Sequence, residues 1–223
     1  MLTSSSAATA AGKLVQHVAL GTQSRDRARP FDLGRSGTSF GEAVAIALLA
    51  SDRGLLRLGL RKLVRVAGFG MSGDAHDVVA PDPDGQHAAQ AIRTALRDAE
   101  AGEVGYVNAH GSGTQLNDRA EISALRRAVG PEAMASMHVG GTKGALGHTL
   151  GATGLVEAVV ATHALVEGRY PPTVGLVRPD PTLPFVPATT LRKRSARERY
   201  ALSVTFGFGG VNSAVLLEGA QHV

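Results

Sequence analysis

Two histidines lie in glycine-rich segments whose residue types could carry chemistry. His110 follows a short apolar run and precedes two glycines and two hydroxyl residues, Ser112 and Thr114. Strand ends that open into loops are where α/β sheets place catalytic groups. A lone histidine at such a position is also commonly structural, so this segment alone leaves both interpretations open.

The second histidine, His148, ends the glycine-rich segment 141–148, which also contains Lys143 and precedes a long apolar helix. The positive end of a helix dipole disfavours a protonated imidazole and helps to keep it neutral. A neutral imidazole can donate a hydrogen bond from Nε2 to a developing oxyanion. A phosphate-binding loop is the alternative, but the segment lacks the G-x-x-x-x-G-K-[ST] spacing.

A third segment, 206–212, contains Phe206 and Phe208 within a glycine-rich turn. Glycines there allow backbone amides to face a ligand. Phenylalanines in a chain with only 6 of them are otherwise expected to anchor the core. Taken alone, this segment also has two interpretations.

Composition restricts the chemistry. The 223 residues include no cysteine, which excludes disulfides, Cys-ligated zinc and a cysteine nucleophile within this sequence. The net charge of +4, with 4% aromatic residues, favours an acidic partner over nucleic acid. The N-terminus lacks the features of a signal peptide, and no uncharged apolar stretch approaches the ~20 residues of a membrane span. We therefore expect a cytoplasmic protein with no membrane span and no metal.

The elements that position these segments follow from hydrophobic periodicity. The first 40 or so residues are expected to be irregular. Strands are predicted at Glu42–Ala50, Arg61–Gly70, Glu103–Asn108, Met137–Gly140, Tyr200–Phe206 and Ser213–Glu218. Helices are predicted at Gly85–Glu100, Asp118–Val129 (capped by Asn117 or Asp118) and Leu150–Glu167, the last too apolar all round to lie on the surface. This alternation predicts a layered α/β sheet.

Seven blocks in order resemble the C-terminal half of the β-ketoacyl-ACP synthase family. They are the three segments above, Arg29–Asp32 with Gly41-Glu42, Gly68–Ser72 with Asp74, Asp118–Glu121, and Pro171–Thr173. The resemblance runs from about Gly21 to Leu217. It implies a thiolase-like domain over residues 29–223, after an irregular segment 1–28, with the Cys-bearing N-terminal half missing.

The resemblance also implies roles. His110, Lys143 and His148 would be catalytic, with both histidines binding the thioester carbonyl of the extender during decarboxylation of malonyl-ACP. Asp118 and Glu121 could hold the Lys143 ammonium, and Glu157 would be the family's internal glutamate. The residues implied to bind substrate are Ser112 and Thr114 (pantetheine arm), Phe206, Phe208 (gatekeeper and oxyanion-hole amide), Gly209 and Asn212. No cofactor is implied beyond the 4′-phosphopantetheine carried by an acyl carrier protein.

The absent cysteine leaves several readings. A chain-length-factor-like partner of a full-length ketosynthase fits most simply. A split ketosynthase that contributes His, Lys and His to a shared site is the alternative, and a non-catalytic carrier-binding scaffold is a third. A hydrolase of the α/β class is a further rival, but no G-x-S-x-G nucleophile elbow is expected. For carrier docking, Arg53, Arg57 and Arg61 would line one face of a helical turn, supplemented by the basic run Arg192–Arg199.

Overall fold

The computed structural model describes residues 2–6, 11–97 and 103–219. The elements in chain order are β1 (Leu2–Ser6), α1 (Ala11–Ala19), β2 (Ala43–Ala47), α2 (Asp52–Leu58), β3 (Val64–Gly73), α3 (Gln86–Leu96), β4 (Val104–Asn108), α4 (Gln115–Ser136), β5 (His138–Gly140), α5 (Lys143–Leu146), α6 (Thr153–Glu167), β6 (Arg169–Tyr170), β7 (Val186–Pro187), β8 (Arg192–Lys193), β9 (Tyr200–Gly207) and β10 (Val211–Gly219). A short 3₁₀ turn, Leu150–Ala152, precedes α6.

The central element is a six-stranded mixed sheet with the order β3-β10-β9-β4-β5-β7. Strands β9, β4, β5 and β7 run parallel, whereas β10 is antiparallel to both of its neighbours. The carboxyl ends of parallel strands meet at one edge of a sheet. That edge therefore gathers the loops after β4, β5 and β9, which carry His110, Lys143 and Phe208.

Helices cover both faces of this sheet. On one face α3 comes so close to β3 that a Cβ at Gly68 or Gly70 would lie 1.9 or 2.0 Å from a carbonyl oxygen of α3. The core there is built from small and branched residues such as Ile92, Leu125 and Leu202. On the other face, α6 packs Ala161, Ala164 and Leu165 against the sheet. The layered α/β prediction is confirmed.

A second, smaller sheet lies beside α6. Strands β1 and β2 pair antiparallel, from Leu2↔Ala47 to Ser6↔Ala43. Side chains of β2 and of α6, including Val156 and Val159, line an apolar groove of about 460 Å³. A two-stranded ribbon alone is marginally stable. The layers thus run helix, sheet, helix and then a sheet of two strands.

Four details differ from the sequence predictions. The expectation that the first 40 residues are irregular is wrong for β1 and α1. Helix α4 begins at Gln115, because Thr114 rather than Asn117 or Asp118 caps it by accepting from the Asn117 N–H. It also continues to Ser136 through a kink at Gly130. The strand predicted at Arg61–Gly70 begins and ends further along the chain, as β3 (Val64–Gly73). The end of the predicted helix Gly85–Glu100, residues 98–100, lies outside the described residues.

Segment Leu150–Glu167 is buried on one side only. It is the one segment in the described ranges that is long and apolar enough to cross a membrane by length and composition, and 33% of it is buried. Its middle carries Glu157, which is 1% exposed and paired with a lysine. A charged pair facing a packed sheet is the setting of a core helix. Its other side remains open, contrary to the expectation of burial all round.

Candidate active site

The two histidines of the glycine-rich segments meet at the carboxyl edge of the main sheet. The His110 and His148 rings lie 5.3 Å apart between centroids, edge to face at 79°. Gly111 at φ 45° and Gly113 at φ 77° turn the chain after β4, a conformation that side chains other than glycine rarely adopt. His148 is fixed by backbone, because its N–H donates to the Ser39 carbonyl at 2.6 Å. The structure thus brings together the two residues expected to act as a pair.

Lys143 lies beneath His110 and is 1% exposed. Its Nζ donates to Glu157 Oε1 at 2.6 Å and to the His110 carbonyl oxygen, and lies 3.4 Å from His110 Nδ1. The expectation that Asp118 and Glu121 hold this ammonium is therefore wrong. Glu157 does so, because α6 places its carboxylate directly opposite the start of α5.

These contacts decide which ring nitrogen of each imidazole carries the proton. The Leu150 N–H donates to His148 Nδ1 at 3.1 Å, so Nδ1 is an acceptor. An ammonium has only donors, so Lys143 likewise requires His110 Nδ1 to accept. In a neutral imidazole the proton then lies on Nε2. Both rings are thereby set as Nε2–H donors.

The same surroundings keep both rings neutral. Burial, with the Lys143 ammonium and the second imidazole, holds the pKa of His110 well below its usual value. Burial lowers the pKa of His148 to about 2, and Lys143 and His17 add to the effect. Two neutral N–H donors that are largely withdrawn from water are suited to stabilising an oxyanion.

Asp118 and Glu121 hold the backbone of the active-site loop. Glu121 accepts the N–H groups of His110 at 2.6 Å and Gly111 at 2.8 Å. Asp118 accepts those of Phe31 at 2.9 Å and Gly113 at 3.1 Å. Burial raises the pKa of Glu121 to about 8 and that of Asp118 above its usual value, against the backbone donors that lower both. Their role in the structure is to position the loop that bears His110.

Glu157 joins three segments. Besides Lys143, it accepts from Thr142 Oγ1 at 3.3 Å and from Thr205 Oγ1 at 3.4 Å. Burial raises its pKa, opposed first by the Lys143 charge. The carboxylate therefore ties α6 to the start of α5 and to β9.

The hydroxyls of Ser112 and Thr114 lie on the loop between β4 and α4 that also bears His110. Their oxygens are 2.9 Å apart, and Thr114 also caps α4. Ser112 is buried and Thr114 half-buried. Both are close to the histidine loop, and both already have local partners.

The turn between β9 and β10 adds aromatic and polar groups. Phe206 is buried with its ring centroid 5.9 Å from that of His110, whereas Phe208 is 45% exposed. Gly209, at φ 80°, donates its N–H to the Val78 carbonyl at 2.7 Å. The buried Asn212 amide donates to Asp74 Oδ1 at 2.6 Å, so its contact in the structure is with Asp74.

Two residues near the site were not singled out from the sequence. Phe40 stacks on His148 at 6.4 Å, and His17 lies against Phe40 at 4.6 Å. Phe40 lies in the segment Gly37–Gly41, whose glycines were a signal for it, whereas His17 stands in no glycine-rich segment. Within the described ranges, no group of three His, Asp or Glu side chains could hold a metal ion.

The expectation that the G-x-S-x-G pattern is absent is wrong, because it occurs at Gly37–Gly41. In α/β-hydrolases this pattern forms a sharp turn between a strand and a helix. Here it lies in irregular backbone between α1 and β2. Its Ser39 Oγ accepts the Ala28 N–H at 3.1 Å. This geometry does not support the hydrolase reading.

A layered sheet of this kind, with two imidazoles at its carboxyl edge, is typical of the thiolase-like fold. Residues 63–177 match the family model described as "Beta-ketoacyl synthase, C-terminal domain". The chain belongs to the β-ketoacyl synthase family and corresponds to its C-terminal domain.

Individual relatives agree. The chain is 39% identical over 194 residues to 3-oxoacyl-[acyl-carrier-protein] synthase 2 of Vibrio harveyi, covering 85% of this chain and 46% of the relative. It is 37% identical over 210 residues to the enzyme of that name from Mycobacterium bovis. That match covers 92% of this chain and 49% of the relative. The chain therefore spans about half the length of the curated relatives it matches.

Solved structures give the same result. The ishigamide ketosynthase/chain length factor has a TM-score of 0.87 and 30% identity, covering 96% of this chain and 52% of that chain. A type II PKS acyl-carrier protein in complex with its ketosynthase has a TM-score of 0.89 and 25% identity. The match covers 97% of this chain and 55% of that chain.

Proposed function

We propose that this chain supplies the decarboxylating half of a ketosynthase active site. The observation that carries the proposal is the pair of Nδ1 contacts that orient two imidazoles lying 5.3 Å apart. His110 and His148 both have Nδ1 occupied as an acceptor, which leaves two Nε2–H donors. A glycine-rich edge and a buried Lys143–Glu157 pair hold them in place.

The proposed chemistry is a decarboxylative Claisen condensation. The C–C bond to the malonyl carboxylate breaks, CO₂ leaves, and the electron pair moves into an enolate on the thioester oxygen. The two Nε2–H groups stabilise that oxygen, and each donor of this kind typically contributes about 10²–10³ in rate. The enolate carbon then attacks an acyl thioester, whose thiolate leaves as the new C–C bond forms.

The acyl thioester requires a cysteine that these 223 residues do not contain. We infer that a Cys-bearing half completes the site. An open apolar face supports this inference: Val44 and Ile46 of β2 and Leu146 are 72%, 64% and 47% exposed, next to the groove lined by Val156 and Val159. Contiguous apolar surface of this kind marks an interaction site. The two-stranded second sheet likewise needs further structure to cover it.

The test is malonyl-ACP decarboxylation by this chain in complex with a Cys-bearing ketosynthase half. His110→Ala and His148→Ala should each reduce the rate about 10²–10³-fold. His163→Ala is the matched control, because His163 is exposed on α6 and should leave the rate unchanged. Retention of most activity by both active-site variants would contradict the proposal.

A chain-length-factor-like role is the second candidate. It is favoured by the similarity to the ishigamide ketosynthase/chain length factor at 30% identity. In that role a full-length partner holds the complete catalytic set. The two histidine variants would then leave condensation nearly unchanged, while Phe208→Ala would alter product length. A non-catalytic carrier-binding scaffold would show neither effect.

The same proposal includes an acyl carrier protein as the substrate donor, with the substrate on its 4′-phosphopantetheine arm. Ser112 and Thr114, at the mouth of the histidine loop, are the proposed hydroxyl contacts for that arm. Phe206, Phe208, Gly209 and Asn212 are proposed to line the acyl side, although Asn212 would act through the turn that it holds. A cytoplasmic location, where such carriers would be met, remains a prediction.

A further inference from the structure

A row of four aromatic rings connects the turn after β9 to the proposed catalytic pair. Phe208 lies 5.4 Å from His17, His17 lies 4.6 Å from Phe40, and Phe40 lies 6.4 Å from His148, all between ring centroids. The row is anchored at one end, because Phe40 and His148 also form a backbone bridge. At the other end Phe208 is 45% exposed.

His17 is held more firmly than the ring it contacts. It is 8% exposed, although Val15 and Val18 on the same helix are 67% and 63% exposed. Its Nδ1 lies 2.9 Å from Thr22 Oγ1, and its carbonyl accepts the Thr22 N–H at 3.1 Å. A side chain fixed by a hydrogen bond and by contact with the tilted Phe40 ring provides a rigid surface for a neighbour.

Phe208, in contrast, stands on a turn whose glycines allow a wide range of backbone conformations. Gly209 and Gly210 follow it at φ 80° and 72°, in the region where glycine has a low conformational cost. A half-exposed ring on such a turn needs a side-chain contact to hold one orientation. In the structure, His17 provides an aromatic contact of this kind, at an interplanar angle of 30°.

We infer that His17 is a positioning residue that seats the Phe208 ring at the end of this row of rings and so sets the acyl-chain preference of the site. This inference rests on the proposed function, in which Phe208 lines the acyl side. His17 touches neither the reacting atoms nor His110. Its effect is expected on which acyl chain is accepted, and not on decarboxylation.

The first readout does not depend on activity. With 4-fluorophenylalanine at position 208, the ¹⁹F resonance of the chain should shift and broaden in His17→Ala, since the ring loses its seat. His17→Phe should restore a narrow line, and Val15→Ala, at an exposed position of the same helix, should leave the spectrum unchanged. Thr22→Val, which keeps the imidazole but removes its hydrogen bond, covers the case in which His17→Ala fails to fold. An unchanged resonance in both His17→Ala and Thr22→Val overturns the positioning role.

The second readout uses the complex with a Cys-bearing half. For His17→Ala we expect kcat/KM for a long relative to a short acyl thioester to change about tenfold, equivalent to about 1.4 kcal/mol. The rate of malonyl-ACP decarboxylation should stay within twofold. An altered ¹⁹F line with an unchanged acyl preference overturns the specificity role. A wild-type complex without decarboxylation refutes the proposed function instead, and the ¹⁹F result then still decides whether His17 seats Phe208.

Discussion

The backbone N–H of Leu150 donates to Nδ1 of His148 at 3.1 Å. Thr153 Oγ1 lies 3.0 Å from the same nitrogen, so that side of the ring is fully engaged. The bond exists because the 3₁₀ turn before α6 directs its first N–H back at the preceding side chain. A backbone N–H, which only a proline at position 150 would remove, thus selects the Nε2–H tautomer.

This tautomer leads to a prediction for substitutions at His148. Glutamine places an N–H donor near the position of Nε2, whereas asparagine places it near Nδ1. We expect His148→Gln to retain about tenfold more decarboxylation than His148→Asn or His148→Ala, a fraction of the ~10²–10³ that one such donor contributes. The measurement is CO₂ release from malonyl-ACP by the complex. Equal losses in all three variants would contradict the assigned tautomer.

The sequence predicted the histidines and the lysine of this site better than the residues that hold them in place. Glycine-rich segments at strand ends located His110, Lys143 and His148, because such strand ends converge wherever the strands are parallel. The partner of Lys143 was not predictable by helical spacing. Asp118 and Glu121 lie one turn apart and appeared suitable, but Glu157, 14 residues beyond the lysine, makes the contact. Only the packing of α6 against the sheet determines that choice.

Long-range packing also explains the other differences. The first 40 residues were expected to be irregular, yet α1 forms there as an amphipathic helix and β1 pairs with the edge of β2. The position of α1 brings His17 into contact with Phe40 and Phe208. Local hydrophobic patterning carries no information about such contacts.

The buried Lys143–Glu157 pair should be costly to break. Lys143→Met or Glu157→Gln leaves one partner buried without its counterion, and we expect a loss of about 3–5 kcal/mol in the free energy of unfolding. The double variant Lys143→Met/Glu157→Met should recover most of that loss. Urea denaturation measures all three. The exposed pair Lys62–Asp52, at 3.6 Å, is the control, and Lys62→Met should cost less than about 1 kcal/mol.

The lowered pKa values of His110 and His148 predict acid sensitivity. Below pH 6.5 the unfolded chain binds protons that the folded chain does not, so the free energy of unfolding falls by up to about 1.4 kcal/mol per pH unit for each ring. For His148 this window extends from 6.5 down to about 2. Glu121, with its pKa raised to about 8, has the opposite slope between its unfolded value and 8.

The difference between wild type and His148→Gln isolates one imidazole from these opposing groups. We expect the stability of His148→Gln relative to wild type to increase as pH falls from 6.5 to 4.5, measured by urea titration at each pH. His163→Gln, at the exposed position on α6, is the control and should track wild type. A pH-independent difference for His148→Gln would show that this ring protonates equally in both states.

The two groups of arginines proposed for carrier docking should behave differently. Arg53 and Arg57 on α2, and Arg61 after it, are exposed. In the run 192–199, however, Arg192 contacts Glu198 and Arg199 contacts Glu218. Arg192 and Arg199 are therefore already engaged in ion pairs within the chain.

Charge reversal separates these cases. Arg53→Glu/Arg57→Glu/Arg61→Glu should weaken binding of acyl carrier protein about tenfold at low salt and far less at ~1 M, where the Debye length is about 3 Å. Its unfolding should match wild type. Arg199→Glu should instead reduce stability, because it places like charge against Glu218. Calorimetric titration and urea denaturation give the two readouts, and unchanged carrier affinity in the triple variant excludes docking through α2.

The open apolar face predicts how the proposed Cys-bearing half would associate with this chain. Val159 is half-buried and lines the groove between α6 and β2. A carboxylate there would be buried on association without a partner, which is strongly unfavourable. We expect Val159→Asp to abolish co-purification with the Cys-bearing half while leaving the circular dichroism of the chain unchanged. Val177→Asp, at a loop position that is 82% exposed, should not affect co-purification. The interface should exceed about 1,600 Å², as in obligate pairs. If Val159→Asp assembles normally, another surface joins the two halves, and the groove is not the contact that completes the active site.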